Sequence, residues 1–144
     1  MILADINVLI YAFDETAAKH TTYRNWLIET LSGSDPFALV DTVLAGFARI
    51  VTHPKIYDEP AGIESALEFV EFLIDADNAQ WLHPGRAAWN ALSDFSEVDS
   101  GVRGVRVPDA YLAAVAKSNG ARLATADRGF ARYPGLQWFD PAFP

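Results

Sequence analysis

Acidic residues that follow apolar runs are the side chains of this sequence best suited to chemistry. Three runs lead into an aspartate: residues 1–4 into Asp5, 37–40 into Asp41, and 122–124 into Asp127. A fourth aspartate, Asp109, stands at the start of an apolar helical stretch. If the runs are parallel strands, their carboxyl ends meet at one edge of the sheet, where open α/β folds place their sites. So much like charge in one place predicts a cation among the acids.

Each of these polar residues also has a simpler interpretation. Asp109 could only complement the dipole of its own helix, an effect of roughly 0.3–1 kcal/mol. Asp127 could form a turn. Asp41, with the threonine after it, could cap the next helix. Asn7, two residues after the first strand-end acid, could hold that carboxylate or cap a helix instead.

The elements that must position these acids alternate along the chain. Strands are predicted at residues 2–5, 37–40, 80–82, 122–124 and 136–139. Helices are predicted at 7–13, 17–31, 43–51, 63–74, 86–95 and from Pro108 to Asn119-Gly120. In helix 63–74 we expect Leu67, Val70, Phe72 and Leu73 to face inward. This alternation predicts an α/β sandwich with a parallel central sheet.

Composition indicates one compact domain spanning residues 1–144, since 51% of the residues are hydrophobic and no linker interrupts the pattern. The absence of cysteine excludes disulfides and thiolate metal sites. Asp5 interrupts the N-terminal apolar run well before the length of a signal or membrane-spanning segment. We therefore expect a soluble cytoplasmic protein without membrane attachment.

Charge is distributed unevenly. The net charge is −8, with −11 in residues 1–100 and +3 in residues 101–144. The basic residues of the second part are Arg103, Arg106, Lys117, Arg122, Arg128 and Arg132. They could contact phosphates near the acids, or form an ordinary solvated surface.

Several reaction classes lack their motifs. The sequence has no Gly-rich phosphate loop with lysine, no Gly-x-Ser-x-Gly elbow, no zinc spacing of histidines and no cysteine nucleophile. Clustered carboxylates alone favour Mg²⁺ or Mn²⁺, hard ions that prefer oxygen ligands and bind substrate phosphates. Metal-assisted hydrolysis of a phosphodiester is the reaction class that remains.

An ordered set of short motifs also resembles a known family. The motifs are Asp5-x-Asn7, Phe47-x-Arg49 with Val51-Thr-His-Pro54, Asp109-Ala-Tyr-Leu-Ala-Ala, and Thr125-Ala-Asp127-Arg-x-Phe130 with Pro134-Gly-Leu136. Together they resemble the PIN-domain ribonucleases of VapC toxin type over nearly the whole chain. The resemblance implies a PIN-like α/β/α sandwich with four or five short strands. It also implies a Mg²⁺- or Mn²⁺-dependent endoribonuclease that cuts transfer or ribosomal RNA, forms a homodimer and is inhibited by a VapB antitoxin.

By the same resemblance, Asp5, Asp109 and Asp127 match the metal-site carboxylates of the family, with Asn7 and Thr125 as supporting polar groups. The family often has a glutamate where this sequence has Gly46, and a further aspartate where it has Gly129. The acidic set is therefore thinned, and a firmly bound second ion is not expected. Asp41 could replace the carboxylate missing at position 46 by approaching from its strand end.

Two other functions are compatible with the sequence. One is a catalytically weakened PIN domain that acts mainly by binding a protein partner, as the two glycines suggest. The other is an aspartyl phosphotransferase or receiver domain, which also places aspartates at strand ends. That function requires a lysine near the acids, and none of Lys19, Lys55 and Lys117 follows a predicted strand.

Overall fold

The computed structural model describes residues 1–143, which form a five-stranded parallel sheet flanked by helices. The strands are β1 (Ile2–Ala4), β2 (Phe37–Leu39), β3 (Ala79–Trp81), β4 (Arg122–Ala124) and β5 (Trp138–Phe139). They lie in the order β3-β2-β1-β4-β5, and each neighbouring pair is parallel. The predicted α/β sandwich with a parallel sheet of short strands is confirmed.

Helices cover the sheet in two groups. They are α1 (Ile6–Phe13), α2 (His20–Leu31), α3 (Asp41–Val51), α4 (Ile63–Ile74), α5 (Arg86–Val98) and α6 (Val107–Ser118), with 3₁₀ turns at Gly104–Arg106 and Arg128–Arg132. Helix α1 packs on α2 and α3, and α3 packs on α4, whereas α5 packs on α6. Within residues 1–143, no helix combines the length and the apolarity needed to cross a membrane.

The central strand β1 has a neighbour on each side. Ile2 lies opposite Phe37 of β2 and Arg122 of β4. All three residues of β1 are buried, which explains why the strand is a continuous apolar run rather than an alternating one. The chain proceeds from β1 outward to β2 and β3, then returns to the other side of β1 for β4 and β5. The reversal makes the β1–β4 boundary a topological switch point, the usual place for a site in such sheets.

Helix α6 brings one of the acids to this edge. Pro108 occupies its first turn, and Gly120, with a φ of +63°, lies just after its end. The residues between are mostly buried, so the helix is fixed against the sheet. Asp109 is held in the first turn, as predicted.

The helices differ from the prediction at several ends and in one buried face; α1 begins one residue early, α3 begins two residues early and α5 ends three residues late. Helix α2 begins at His20 rather than Ala17, because the Asp14 carboxylate accepts hydrogen bonds from the N–H and hydroxyl of Thr16 and forms a local turn there. In α4 the prediction that Leu67 and Phe72 face inward is wrong, since they are 51% and 47% exposed. This helix buries a narrow stripe of Ala66, Phe69 and Leu73, and both residues fall outside it.

Four strands differ in their bounds; β1 and β2 each end one residue earlier than predicted, at Ala4 and Leu39. β3 begins at Ala79, one residue before the predicted start, and β5 contains Trp138 and Phe139 rather than residues 136–139. None of these changes affects the order of the sheet.

Candidate functional site

Asp5 lies directly after β1 and is almost fully buried. Its backbone N–H donates to the Ala124 carbonyl at 2.9 Å, which extends the β1–β4 ladder beyond the strand. Its carboxylate Oδ2 accepts two side-chain hydrogen bonds of 2.7 Å, from Asn7 Nδ2 and from the Thr125 hydroxyl. The carboxylate therefore joins the ends of two neighbouring strands.

Asn7 and Thr125 form a network around this acid. Asn7 Nδ2 also reaches Thr125 Oγ1 at 3.2 Å, and Asn7 Oδ1 accepts the Ala126 N–H at 3.2 Å. Thr125 Oγ1 in turn accepts the Asp127 N–H at 3.0 Å. Asn7 makes no helix-capping bond, because Asp5 occupies the N-cap position of α1. Of the two roles predicted for Asn7, the structure supports holding the carboxylate.

Asp127 and Asp109 are the more accessible acids. Both are exposed, and they line one pocket together. Asp127 Oδ1 accepts the Gly129 N–H at 2.7 Å, which stabilises the 3₁₀ turn after β4. Its predicted role as a turn-former is therefore correct, but the same side chain also stands beside the other acids. Asp5 and Asp109 line a second, adjoining groove.

The acids influence one another electrostatically. Burial raises the pKa of Asp5 from 3.8 to about 6; the hydrogen bonds from Thr125 and the Ile6 backbone oppose this, while the charges of Asp109 and Asp127 add to it. The pKa of Asp109 is also raised, first by partial burial and then by Asp127. The structure thus brings three of the predicted residues into one electrostatic cluster.

A hard divalent cation suits the chemistry of this cluster. The donors are three carboxylates with an amide and a hydroxyl nearby, and a cation would offset the burial and the mutual repulsion that raise the pKa values of Asp5 and Asp109. In residues 1–143, however, no three His, Cys, Asp or Glu side chains already converge closely enough to hold one ion. Binding would require these side chains to converge, most simply by movement of the exposed Asp109 and Asp127. The metal site stays a prediction.

Asp41 does not join the cluster. It is exposed, and it is the first residue of α3, with Val40 at the N-cap position and no side-chain capping bond. The predicted cap is wrong because the helix begins two residues early, which places Asp41 inside the first turn rather than before it. Thr42 lines the groove that contains Asp5 and Asp109, whereas Asp41 does not. Its position suits only a favourable interaction with the helix dipole.

The two glycines at family acidic positions have different surroundings. A Cβ at Gly46 would lie 2.5 Å from Ile6 Cδ1, so the Ile6 side chain fills the space that a longer residue there would need. A Cβ at Gly129 would lie 2.9 Å from Asp127 Oδ1. The glycine at that position lets the Asp127 carboxylate approach the backbone N–H closely.

Most of the predicted basic residues separate into two sets. Arg122 lies 3.9 Å from Asp35 at the amino end of the sheet, opposite the acids, and Lys117 lies against an aromatic ring. Arg106 and Arg132 line the pocket that contains the two exposed acids. Arg103 and Arg128 are exposed and belong to neither set, since they line neither this pocket nor the adjoining groove. The second set is placed to meet a phosphate there, and that contact stays a prediction.

The sequence did not indicate the groove beside Asp5 and Asp109. Its wall combines residues of α1, α3, α5 and α6, among them Ile6, Trp89 and Tyr111. No local pattern marks these residues, because they meet only through the packing of separate helices.

Fold and acids together define an α/β domain with an acidic site at the carboxyl edge of its sheet, and comparisons with known proteins agree. Residues 2–136 match the family model described as "PIN domain". Ribonuclease VapC43 of Mycobacterium tuberculosis is 39% identical over 142 residues, covering 98% of this chain and 95% of that protein. Ribonuclease VapC25 of the same organism is 32% identical over 145 residues, covering 98% and 99%.

A solved structure has the same fold. It is VapBC2 from Rickettsia felis bound to a DNA fragment from their promoter, with a TM-score of 0.70, 20% identity, and coverage of 97% of this chain and 98% of that one. This chain belongs to the PIN-domain family, and within it to the VapC ribonucleases. The resemblance seen in the sequence is confirmed.

Proposed function

We propose that this protein is a Mg²⁺- or Mn²⁺-dependent endoribonuclease and the toxin of a toxin–antitoxin pair. One observation carries the proposal: Asp5, Asp109 and Asp127 form one acidic cluster at the β1–β4 switch point. Relatives that are 30% identical or more and match nearly the full chain are named as ribonucleases, which supports cleavage of RNA.

The residues of the cluster have distinct roles in this proposal. A bound Mg²⁺ or Mn²⁺ would ionise a water molecule and neutralise charge on the phosphodiester. Asp5, Asp109 and Asp127 would hold the ion. Asn7 and Thr125 fix the orientation of the Asp5 carboxylate through their hydrogen bonds, as outer groups commonly do around metal ligands.

The partners follow from the same family. We propose structured RNA, of the transfer or ribosomal class, as substrate and a VapB-type antitoxin as the inhibitor. The antitoxin is supported by the solved VapBC2 complex of the same fold. We also propose a homodimer, which light scattering of the purified protein would test.

Cleavage of transfer RNA by the purified protein tests the activity. We expect cleavage with Mn²⁺ and none with EDTA. Asp5→Asn should lower the cleavage rate at least about a hundredfold, because losing a group that only supports a metal ligand already costs up to about that factor. Asp35→Asn is the matched control, because it removes the same charge from an exposed position at the opposite edge of the sheet. Equal cleavage with EDTA, or by Asp5→Asn, would contradict the proposal.

Mapping of RNA ends after induced expression, with and without the neighbouring upstream gene, tests the toxin role. We expect new ends at a small set of sites, which disappear when an antitoxin is co-expressed. Ends that are unaffected by every neighbouring gene would argue against a toxin–antitoxin pair.

The two other functions compatible with the sequence have less support. The weakened, partner-binding domain gains nothing from the comparisons, since relatives are named for ribonuclease activity. The phosphotransferase requires a lysine at the acids, but Lys117 lies over the Phe95 ring at 5.1 Å and Lys19 over the Phe143 ring at 3.3 Å.

A further inference from the structure

An apolar groove of about 290 Å³ opens beside the acidic cluster. Asp5 and Asp109 form part of its wall, so anything that fills it touches the carboxylates. The remainder is mostly apolar: Ile6, Val43, Trp89, Leu92, Pro108 and Tyr111. The volume lies near the lower limit of small-molecule pockets, roughly 300 Å³, and suits a single flat ring system.

Two aromatic rings stand in this wall. Trp89 of α5 and Tyr111 of α6 have ring centroids 5.2 Å apart and planes inclined at 44°. Packing between the two helices accounts for Tyr111, which is partly buried. It does not account for Trp89, which remains 57% exposed. An exposed tryptophan in an apolar groove is typical of a surface that binds a ligand.

The opposite side of Asp109 has a different character. There a smaller pocket of about 190 Å³ is lined by Arg106, Arg132 and Asp127. Arg132 lies 3.9 Å from Asp99, whereas Arg106 has no ion-pair partner in the described residues. An apolar aromatic groove and a pocket of mixed charge, with two arginines and two aspartates, therefore share the Asp109 carboxylate as their common wall. A nucleotide has the matching chemistry, because it joins a flat base to a charged phosphate.

We propose that this groove holds one unpaired base of the RNA, stacked on Trp89, while the adjoining phosphate points towards Arg106. The inference rests on the proposed ribonuclease function and adds a base-binding subsite to it. Sequence-tolerant recognition of single-stranded RNA uses this combination of aromatic stacking and cationic backbone contacts.

The binding of a fluorescein-labelled, 12-nucleotide single-stranded RNA of adenine, measured by anisotropy in EDTA, tests the subsite without cleavage. Stacking contributes about 1–3 kcal/mol per base, so Trp89→Ala should weaken binding roughly 5- to 150-fold. Trp89→Phe should retain most of the affinity. Trp81→Ala is the matched control, because Trp81 is also exposed but lies on β3, outside the groove.

A second arm identifies the contact as base stacking. We compare oligomers that each carry one abasic residue at a different position. One of them should bind the wild type more weakly, by a factor similar to that of Trp89→Ala. The same abasic oligomer should cause no further loss in Trp89→Ala, since the stacking partner is already absent. Melting temperatures of the variants establish that they are folded.

Three outcomes would overturn the subsite. Equal affinity of wild type and Trp89→Ala would show that no base stacks there, and Mn²⁺-dependent cleavage by both would leave the proposed function intact. No RNA binding by the folded wild type would also reject it, and the separate cleavage assay then decides the proposed function. If the Trp89→Ala variant binds RNA normally but is no longer inhibited by the antitoxin, the groove binds the antitoxin rather than a base.

Discussion

The two halves of the acidic cluster differ in how fully the protein satisfies them. In the closed half, formed by Asp5, Asn7 and Thr125, the polar side chains are hydrogen-bonded to one another behind the end of the sheet. In the open half, formed by Asp109 and Asp127, the carboxylates are exposed and line a pocket. The closed half is fixed before any ligand arrives, while the open half keeps its carboxylates accessible even though Asp127 Oδ1 accepts the Gly129 N–H.

This difference suggests a division of roles. A ligand site needs supporting bonds that fix its rigid members, and it also needs accessible donors that complete the shell. Asp5 is held in place at the cost of burial, which shows in its raised pKa. If the two halves have these separate roles, changes to them should have effects of different kinds and sizes.

The largest effect should be a pH dependence of stability in the metal-free protein that originates in the closed half. The folded pKa of Asp5, about 6, lies above the ordinary value of 3.8, so the folded state keeps a proton that the unfolded chain releases. Stability is therefore full below about pH 4 and falls as the pH rises to about 6, by at most about 3 kcal/mol. Urea unfolding in EDTA at several pH values would measure this.

Variants separate this contribution from other titrating groups. Asp5→Asn should lose the fall between pH 4 and 6, while Asp41→Asn, at the exposed start of α3 outside the cluster, should keep it. If stability falls equally with pH in wild type and in Asp5→Asn, the buried Asp5 carboxylate is not the cause of the fall.

The second effect concerns the open half and metal binding. If the acids bind Mn²⁺, the ion stabilises the folded state by about 2.7 kcal/mol at a hundred times its Kd. The melting temperature should rise with Mn²⁺ in wild type and much less in Asp109→Asn or Asp127→Asn. Asp35→Asn should respond as wild type does. An equal rise in all four proteins would mean that the ion binds elsewhere.

A third prediction concerns the hydroxyl that links the halves. Thr125→Val removes the donor to Asp5 and the acceptor for the Asp127 N–H with little change in shape. Leaving these buried groups unpaired should cost about 1–3 kcal/mol of stability, and activity should fall about 10- to 100-fold. Thr125→Ser, which retains the hydroxyl, is the control and should lie within a few-fold of wild type. Normal cleavage by Thr125→Val would reduce Thr125 to a packing role.

The smallest effect is expected at Asp41. Because it is exposed and lies outside the groove, Asp41→Asn should change Mn²⁺-dependent cleavage by less than about threefold and the melting temperature little. A tenfold loss of cleavage, which corresponds to about 1.4 kcal/mol, would show that Asp41 does supply the carboxylate missing at Gly46. The cluster would then contain a fourth acid, which belongs to neither half.

Much of the fold was predictable from the sequence because its signals are local. Apolar runs that end in aspartate indicated parallel strands, and the meeting of their carboxyl ends follows from the sheet alone. Helix α4 has apolar residues on more than one face, so periodicity could not show which face packs on the core. Leu67 and Phe72 were therefore assigned wrongly. Helix α3 begins at Asp41, two residues before its predicted start, and the ends of helices are the least reliable part of such predictions.

The candidate site was predictable in its residues but not in its detail. The types and spacing of Asp5, Asp109 and Asp127 indicated an acidic cluster. Nothing in the sequence showed that Ile6 fills the space beside Gly46, or that Trp89 and Tyr111 meet in a groove. These contacts join residues 22 to 40 positions apart on different helices, so they exist only once the helices have packed.

The pairing of β1 with β4 has a consequence for the order in which the protein becomes able to act. The Thr125 hydroxyl that holds Asp5 is encoded 120 residues later. At about 5–20 residues per second, a ribosome needs roughly 6–24 s to make the intervening chain. Throughout that interval the central strand lacks one of its two neighbours and Asp5 lacks a donor. A nascent chain is therefore without its assembled acidic cluster until Thr125 and Asp127 have been synthesised, so the synthesis of β4 and the residues just after it sets the earliest moment at which the site can form.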